Sequence, residues 1–148
     1  MTYETTRVEQ WIFEQLADDS TVVANAGANV LDATKAGVYV PQAPEGALYP
    51  LVRYNLMAGT DSLSMGTTRN MTDCVYQVLC VGQTESYQSL ETLADRVDTL
   101  LTNPSDTTVD SHVIIGSWRE QVIKIPELVN GTHYRSLGGL YRIHVRSA

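Results

Sequence analysis

The chain has 148 residues, 43% of them hydrophobic and 18% charged, with a formal net charge of −7. That length is enough for a single domain, residues 1–148, whose core needs neither disulfides nor metal to hold it. The acidic balance argues against binding nucleic acid through its phosphates, which requires clustered Lys and Arg to displace counterions. No apolar run reaches the ~18 residues of a membrane span. The opening Met-Thr-Tyr-Glu-Thr-Thr-Arg has no basic and apolar regions of the secretory kind, so the expectation is a soluble protein made and kept in a cytoplasm, with no membrane partner.

Residues 5–17 read as a helix. Val8, Trp11, Ile12 and Leu16 recur on one stripe, and Thr6-x-x-Glu9 offers a capping box. Asp18-Asp19-Ser20 ends it and caps a short helical turn running to Ala26. Residues 28–46 are irregular, punctuated by Gly37, Pro41, Pro44 and Gly46, with Val38-Tyr39-Val40 as a short strand. Residues 48–57 predict a strand, and Pro50 puts its start at an edge or outside the ladder. Residues 58–70, AGTDSLSMGTTRN, join this strand to the next as a long hairpin arm or a mobile loop. Connections of such length are commonly functional, and Met57, Met65 and Met71 in and around it suit an adaptable contact surface.

Residues 74–81 form the strongest strand, apolar on alternate positions in both directions, which predicts a central strand with both faces covered. Gly82-Gln83-Thr84 breaks it and Ser86 caps a helix. Leu90, Leu93, Ala94, Val97, Leu100 and Leu101 form that helix's apolar face, and Asn103-Pro104 stops it. After a polar linker, residues 112–118 and 119–129 supply strand material. Asn130-Gly131 is a two-residue hairpin signal. Gly138-Gly139 suggests a second bend or bulge before a last strand at 140–146. The resulting fold class is α+β: a mixed, mainly antiparallel sheet packed against two main helices, with a long loop or hairpin arm.

Cys74 and Cys80 lie on one strand, where six residues span roughly 20 Å, so they cannot bridge. His112, His133 and His144 lack metal-site spacing and evident partners, and the carboxylates are scattered. His133 and His144 read as solvated, Trp11 and Trp118 as core. No phosphate loop, dinucleotide fingerprint or nucleophile elbow is present. The expectation is a protein without catalysis, cofactor or metal. Charge is uneven: beyond Ser111 stand Arg119, Lys124, Arg135, Arg142 and Arg146 against Glu120 and Glu127 alone. Such asymmetry suits head-to-tail contact between copies.

The order of elements carries a resemblance. A short amphipathic helix, a capped turn, a YPLVRYNL strand, a long polar connection, the strand VYQVLCVG, the helix YQSLETLADRVDTLL, an NGTHYR turn and a closing GLYRIHV strand follow one another. This layout resembles the tail terminator, or tail completion, proteins of long-tailed bacteriophages, over nearly the whole chain and in pattern more than in any invariant motif. The resemblance implies a virion protein at the head–tail junction, assembled in the host cytoplasm as a hexameric ring on the end of the tail tube. Its partners would be further copies of itself, the tail tube protein and the head–tail connector or stopper protein. DNA would pass through the ring without specific binding, which an acidic lumen favours. The candidate assembly contacts are Met57, Thr60, Asp61, Leu63, Met65 and Arg69 of the arm, with Arg119, Arg135, Arg142 and Arg146 of the C-terminal strands. Two rivals stand beside this reading: another neck component, such as a head-closure or adaptor protein, and a ligand-binding or catalytic α+β domain of cellular origin.

Overall fold

The computed structural model describes residues 4–63 and 69–147. Two helices open the chain, α1 (Glu4–Ala17) and α2 (Ser20–Asn25). The strands β1 (Val38–Tyr39), β2 (Leu51–Leu63) and β3 (Arg69–Gly82) follow. A 3-10 turn at Tyr87–Leu90 leads into α3 (Glu91–Leu101), and β4 (Thr108–Val109), β5 (His112–Val129) and β6 (Thr132–Ser147) complete the chain. The strands form one sheet in the order β1-β2-β3-β6-β5-β4. All its ladders are antiparallel except β1 with β2. The α+β expectation holds at this level, but the sheet dominates the molecule more than a sheet on two helices would suggest.

Alternation along the strands decides which face is covered. Val52 and Tyr54 of β2, Cys74, Tyr76, Val78 and Cys80 of β3, and Tyr141, Ile143 and Val145 of β6 join α1 and α3 in one buried cluster. Val8, Trp11, Ile12 and Leu16 are the helix stripe of α1 in that cluster, and Leu93, Val97 and Leu101 that of α3. Polar tips of the large rings are satisfied by the helices they touch. The Tyr54 hydroxyl donates to the Glu9 carbonyl at 2.8 Å, Tyr76 to the Thr5 carbonyl at 2.9 Å, and Tyr141 to Asp98 at 2.9 Å. The Trp11 indole donates to the Asp106 carbonyl at 3.0 Å and so ties down the linker before β4.

The opposite face is different. Leu79 is buried there and Val75 only partly, and no described helix lies over them. The expectation of two covered faces is therefore corrected: β3 is central because it has strands on both sides, while a helical layer covers one face. Other local expectations also change. The helix α1 already includes Glu4, so Thr6 lies inside it and forms no capping box. Residues 112–118 and 119–129 are a single 18-residue strand, bulged between Ile114 and Gly116 and between Arg119 and Gln121. Gly138-Gly139 does not bend the chain. The pair sits in the middle of β6, where a Cβ on Gly138 would overlap the Val78 carbonyl oxygen and approach the Leu79 Cα to 2.9 Å. Only glycine lets β6 pass that close to β3. The Asn130-Gly131 signal holds, with both residues at positive φ, 50° and 79°, between β5 and β6.

Asp19 is the N-cap of α2, accepting from the Thr21 and Val22 amides at 3.1 Å each. The same carboxylate receives Arg96 of α3 in a fork, Nε at 3.0 Å and Nη2 at 2.6 Å. The Arg96 hydrogen bond, then the Val22 and Thr21 amides, hold the Asp19 carboxyl below the usual range against the opposing effect of burial. Because the folded pKa is the lower one, the stabilisation is present above the unfolded value of about 3.9 and is lost as pH falls through the folded value. Asp19→Ala should thus cost about 1 kcal/mol at neutral pH. In urea titrations the gap between wild type and variant should close in acid, below the carboxylate range.

Cys74 and Cys80 are free and buried. Burial pushes both thiols up to about 12, helped at Cys74 by the charges of Asp73, Asp61, Glu4 and Glu9. Neither should react with a thiol reagent at neutral pH until the protein is unfolded, when both should react. Rapid labelling of the native protein, or a bridged mass, would contradict this placement.

Candidate assembly surfaces

The connection at 58–70 resolves the choice between arm and loop in favour of an arm. β2 and β3 continue past the body of the sheet, pairing through Thr60 with Asp73, Asp61 with Thr72 and Ser62 with Met71, to Leu63 with Arg69. β6 accompanies β3 only as far as Thr72, which faces Val145. Beyond that point no described strand flanks the hairpin. A bulge between Leu56 and Ala58 marks its base and re-aims the strand. Met57, Thr60 and Asp61 are exposed. Asp61 accepts the Thr72 hydroxyl at 2.8 Å across the hairpin. Leu63 and Arg69 are placed in the two strands, and Met65 lies outside the described residues.

The C-terminal arginines fall into different roles. Arg142 is engaged within the chain. Its guanidinium is bonded to Asp73 of β3 at 2.7 Å and forks onto Glu120 of β5 through Nε and, at 3.2 Å, Nη2. This crosses three strands on the face away from the helices. His144 joins the same group, 3.4 Å from Asp73 and edge-on to Trp118 at 5.1 Å between centroids. Two sequence readings change as a result. Arg142 is a positioning residue of the sheet and not a spare cation, and His144 is packed against neighbours where solvent was expected. Arg135 and Lys124 both lie over the ring of Tyr87, at 5.9 Å and 5.4 Å, pinning the β5–β6 hairpin to the start of α3. Arg119 stands 3.8 Å from Asp98, a long and partly exposed pair, and Arg146 is exposed.

Trp118 was expected in the core and is 39% exposed. It belongs to a group of exposed apolar residues along β5 that the sequence reading did not single out: Ile115, Trp118, Val122, Leu128 and Val129. Leu56 and Met57 are their counterparts on β2. The signal was present in Gln121-Val122-Ile123-Lys124-Ile125, where apolar side chains point both ways. Recognising it required knowing that no described strand lies beside the outer edge of β5 there. A cleft of about 390 Å³ between the 42–49 loop and the uncovered face is framed by Tyr49 and Tyr134, 5.6 Å apart. Among the described residues no group of three or more His, Cys, Asp or Glu side chains is placed to hold a metal ion. No helix among them is long and apolar enough to cross a membrane.

No family model and no curated protein matches this chain. Among solved structures, a chain in the virion of a native gene transfer agent particle has the same fold. The two superpose with a TM-score of 0.66 at 16% sequence identity, covering 97% of each chain.

Proposed function

We propose that the protein is a structural component of a phage-type virion and, within that class, a tail terminator. It would form a hexameric ring on the last ring of the tail tube, end tube growth and offer its other side to the head connector. The observation that carries the virion assignment is the end-to-end likeness of fold to a chain of a gene transfer agent virion. At this identity fold is what is shared, so the finer role rests on the order of elements in the sequence and on the projecting β2–β3 arm. A ring of identical subunits needs two different complementary surfaces on each copy. The acidic N-terminal half and the basic C-terminal strands supply the electrostatic part, and exposed apolar side chains the larger share of affinity. Structural and not catalytic work is part of this reading. DNA passes through such a ring without being held, because an acidic surface repels phosphate.

Deletion of residues 60–68 tests the role of the arm. The shortened protein should fold, since among the described residues removed only Thr60 and Asp61 pair with a part of β3 that β6 also flanks. In a complementation assay it should leave tails of uncontrolled length, or tails that fail to join heads. Tails of normal length that joined heads would refute the arm's role.

A further inference from the structure

Two lengths of strand edge have no neighbour among the described residues. On one margin of the sheet β1 pairs with β2 only at Val52 and Arg53, which leaves 54–63 open. On the other, β4 covers His112 and Val113. Linker bonds from Ile114 N to the Thr107 carbonyl and from Asn103 N to the Ser117 carbonyl protect the next stretch. β5 is open from 118 to 129.

The two open edges overlap in level between Tyr54 and Ala58 on one margin and between Val122 and Trp118 on the other. Following the ladders across the sheet, Tyr54 leads through Val78 and Gly139 to Val122. Ala58 leads through Val75 and Arg142 to Trp118 by the same route. The exposed apolar side chains Leu56 and Met57 on one margin thus fall between the rows of Val122 and Trp118, themselves exposed, on the other. Charge is complementary as well. On the β2 margin Asp61 is exposed and accepts the Thr72 hydroxyl. The β5 margin carries Arg119 and Lys124, and the partner of Arg119 within the chain is 3.8 Å away.

Direction completes the match. β2, β3, β6 and β5 alternate antiparallel, so a copy added head to tail presents its β2 antiparallel to the preceding β5. We propose that the open edge of β5 in one copy takes up the open edge of β2 in the next, continuing a single sheet from subunit to subunit. A two-fold pairing of β5 with β5 would satisfy one edge and leave β2 open. The bulge at Arg119/Gln121, Lys124 and Pro126 are features that keep such an edge from pairing indiscriminately. A stagger between copies that moves 54–63 toward Val129 lengthens the shared edge. This pairing rests on the ring reading and specifies its subunit contact.

Cysteine cross-linking tests it. Met57→Cys is combined with Val122→Cys in one variant and with Trp118→Cys in a second, to allow for stagger. The three single variants serve as controls. All replaced side chains are exposed, and the native thiols are buried and stay out of the reaction. Each protein is mixed with tail tubes, its assembly mass is measured, and it is oxidised with copper phenanthroline. At least one double variant should give a ladder of covalent multimers that collapses on reduction, while the singles remain monomeric. Rings by mass with no ladder from either double variant would overturn the edge pairing and leave the terminator reading standing. A covalent dimer from Trp118→Cys or Val122→Cys alone would overturn it in favour of two-fold pairing. If wild-type protein forms no ring with tubes, the proposed function falls and the edge pairing with it.

Discussion

Gly138→Ala is expected to destabilise the protein by about 3 kcal/mol or more, at or beyond the upper end of ordinary overpacking. The cost does not come from a flexible side chain that can move aside. The added methyl would meet the Val78 carbonyl oxygen and the Leu79 Cα, both backbone atoms of the strand that anchors the core. Either β3 and β6 separate, breaking the Val78–Gly139 and Leu79–Gly138 registers, or the methyl occupies space already filled. Three kcal/mol is a large part of the roughly 5–15 kcal/mol that holds a domain together. The midpoint of urea unfolding should fall steeply with little change in slope. A loss below about 0.5 kcal/mol, the range of an inconsequential surface change, would mean that the strands do not pass this closely.

Leu93→Ala should cost about 2–5 kcal/mol, as a buried leucine removed from a closed core does. Leu93 is 2% exposed on the inner face of α3, in one cluster with Val78, Cys80 and Tyr141. Leu79→Ala makes a useful comparison. Leu79 is fully buried, but on the side of β3 away from the helices. With no helical layer there to roof a cavity, its loss should sit at the lower end of the same range. Equal losses would point to a tighter second layer than the fold provides, and a loss below 0.5 kcal/mol at Leu93 would remove α3 from the core.

These two positions show which parts of the fold the sequence disclosed. Leu90, Leu93, Val97 and Leu101 announce a helix because their spacing matches its turn, and the structure buries all four. Asn130-Gly131 announces its turn because few other pairs adopt positive φ twice in succession. Gly138-Gly139 was misread because glycine serves bends and close approaches alike, and only a neighbouring strand tells them apart. Trp118 was misread for a related reason: a large apolar residue in a strand marks a core only when that strand is covered, and helical cover ends on one face. The candidate contacts were legible as a region and not as residues. The arm was seen, but Arg142 looked available because Asp73 and Glu120, far from it in sequence, become its neighbours only through the β3–β6–β5 register.

We propose that this chain works as a ring on the end of a tail tube. Its most direct test is the mass of the purified protein in solution and after incubation with tail tubes, with the tubes inspected by electron microscopy. The tube itself can drive assembly, since a partner that binds only the ring stabilises it by mass action. The account predicts a hexameric ring seated coaxially at tube ends, with tube growth arrested there. A protein that stays monomeric with tubes present, or that decorates their sides while growth continues, would contradict it.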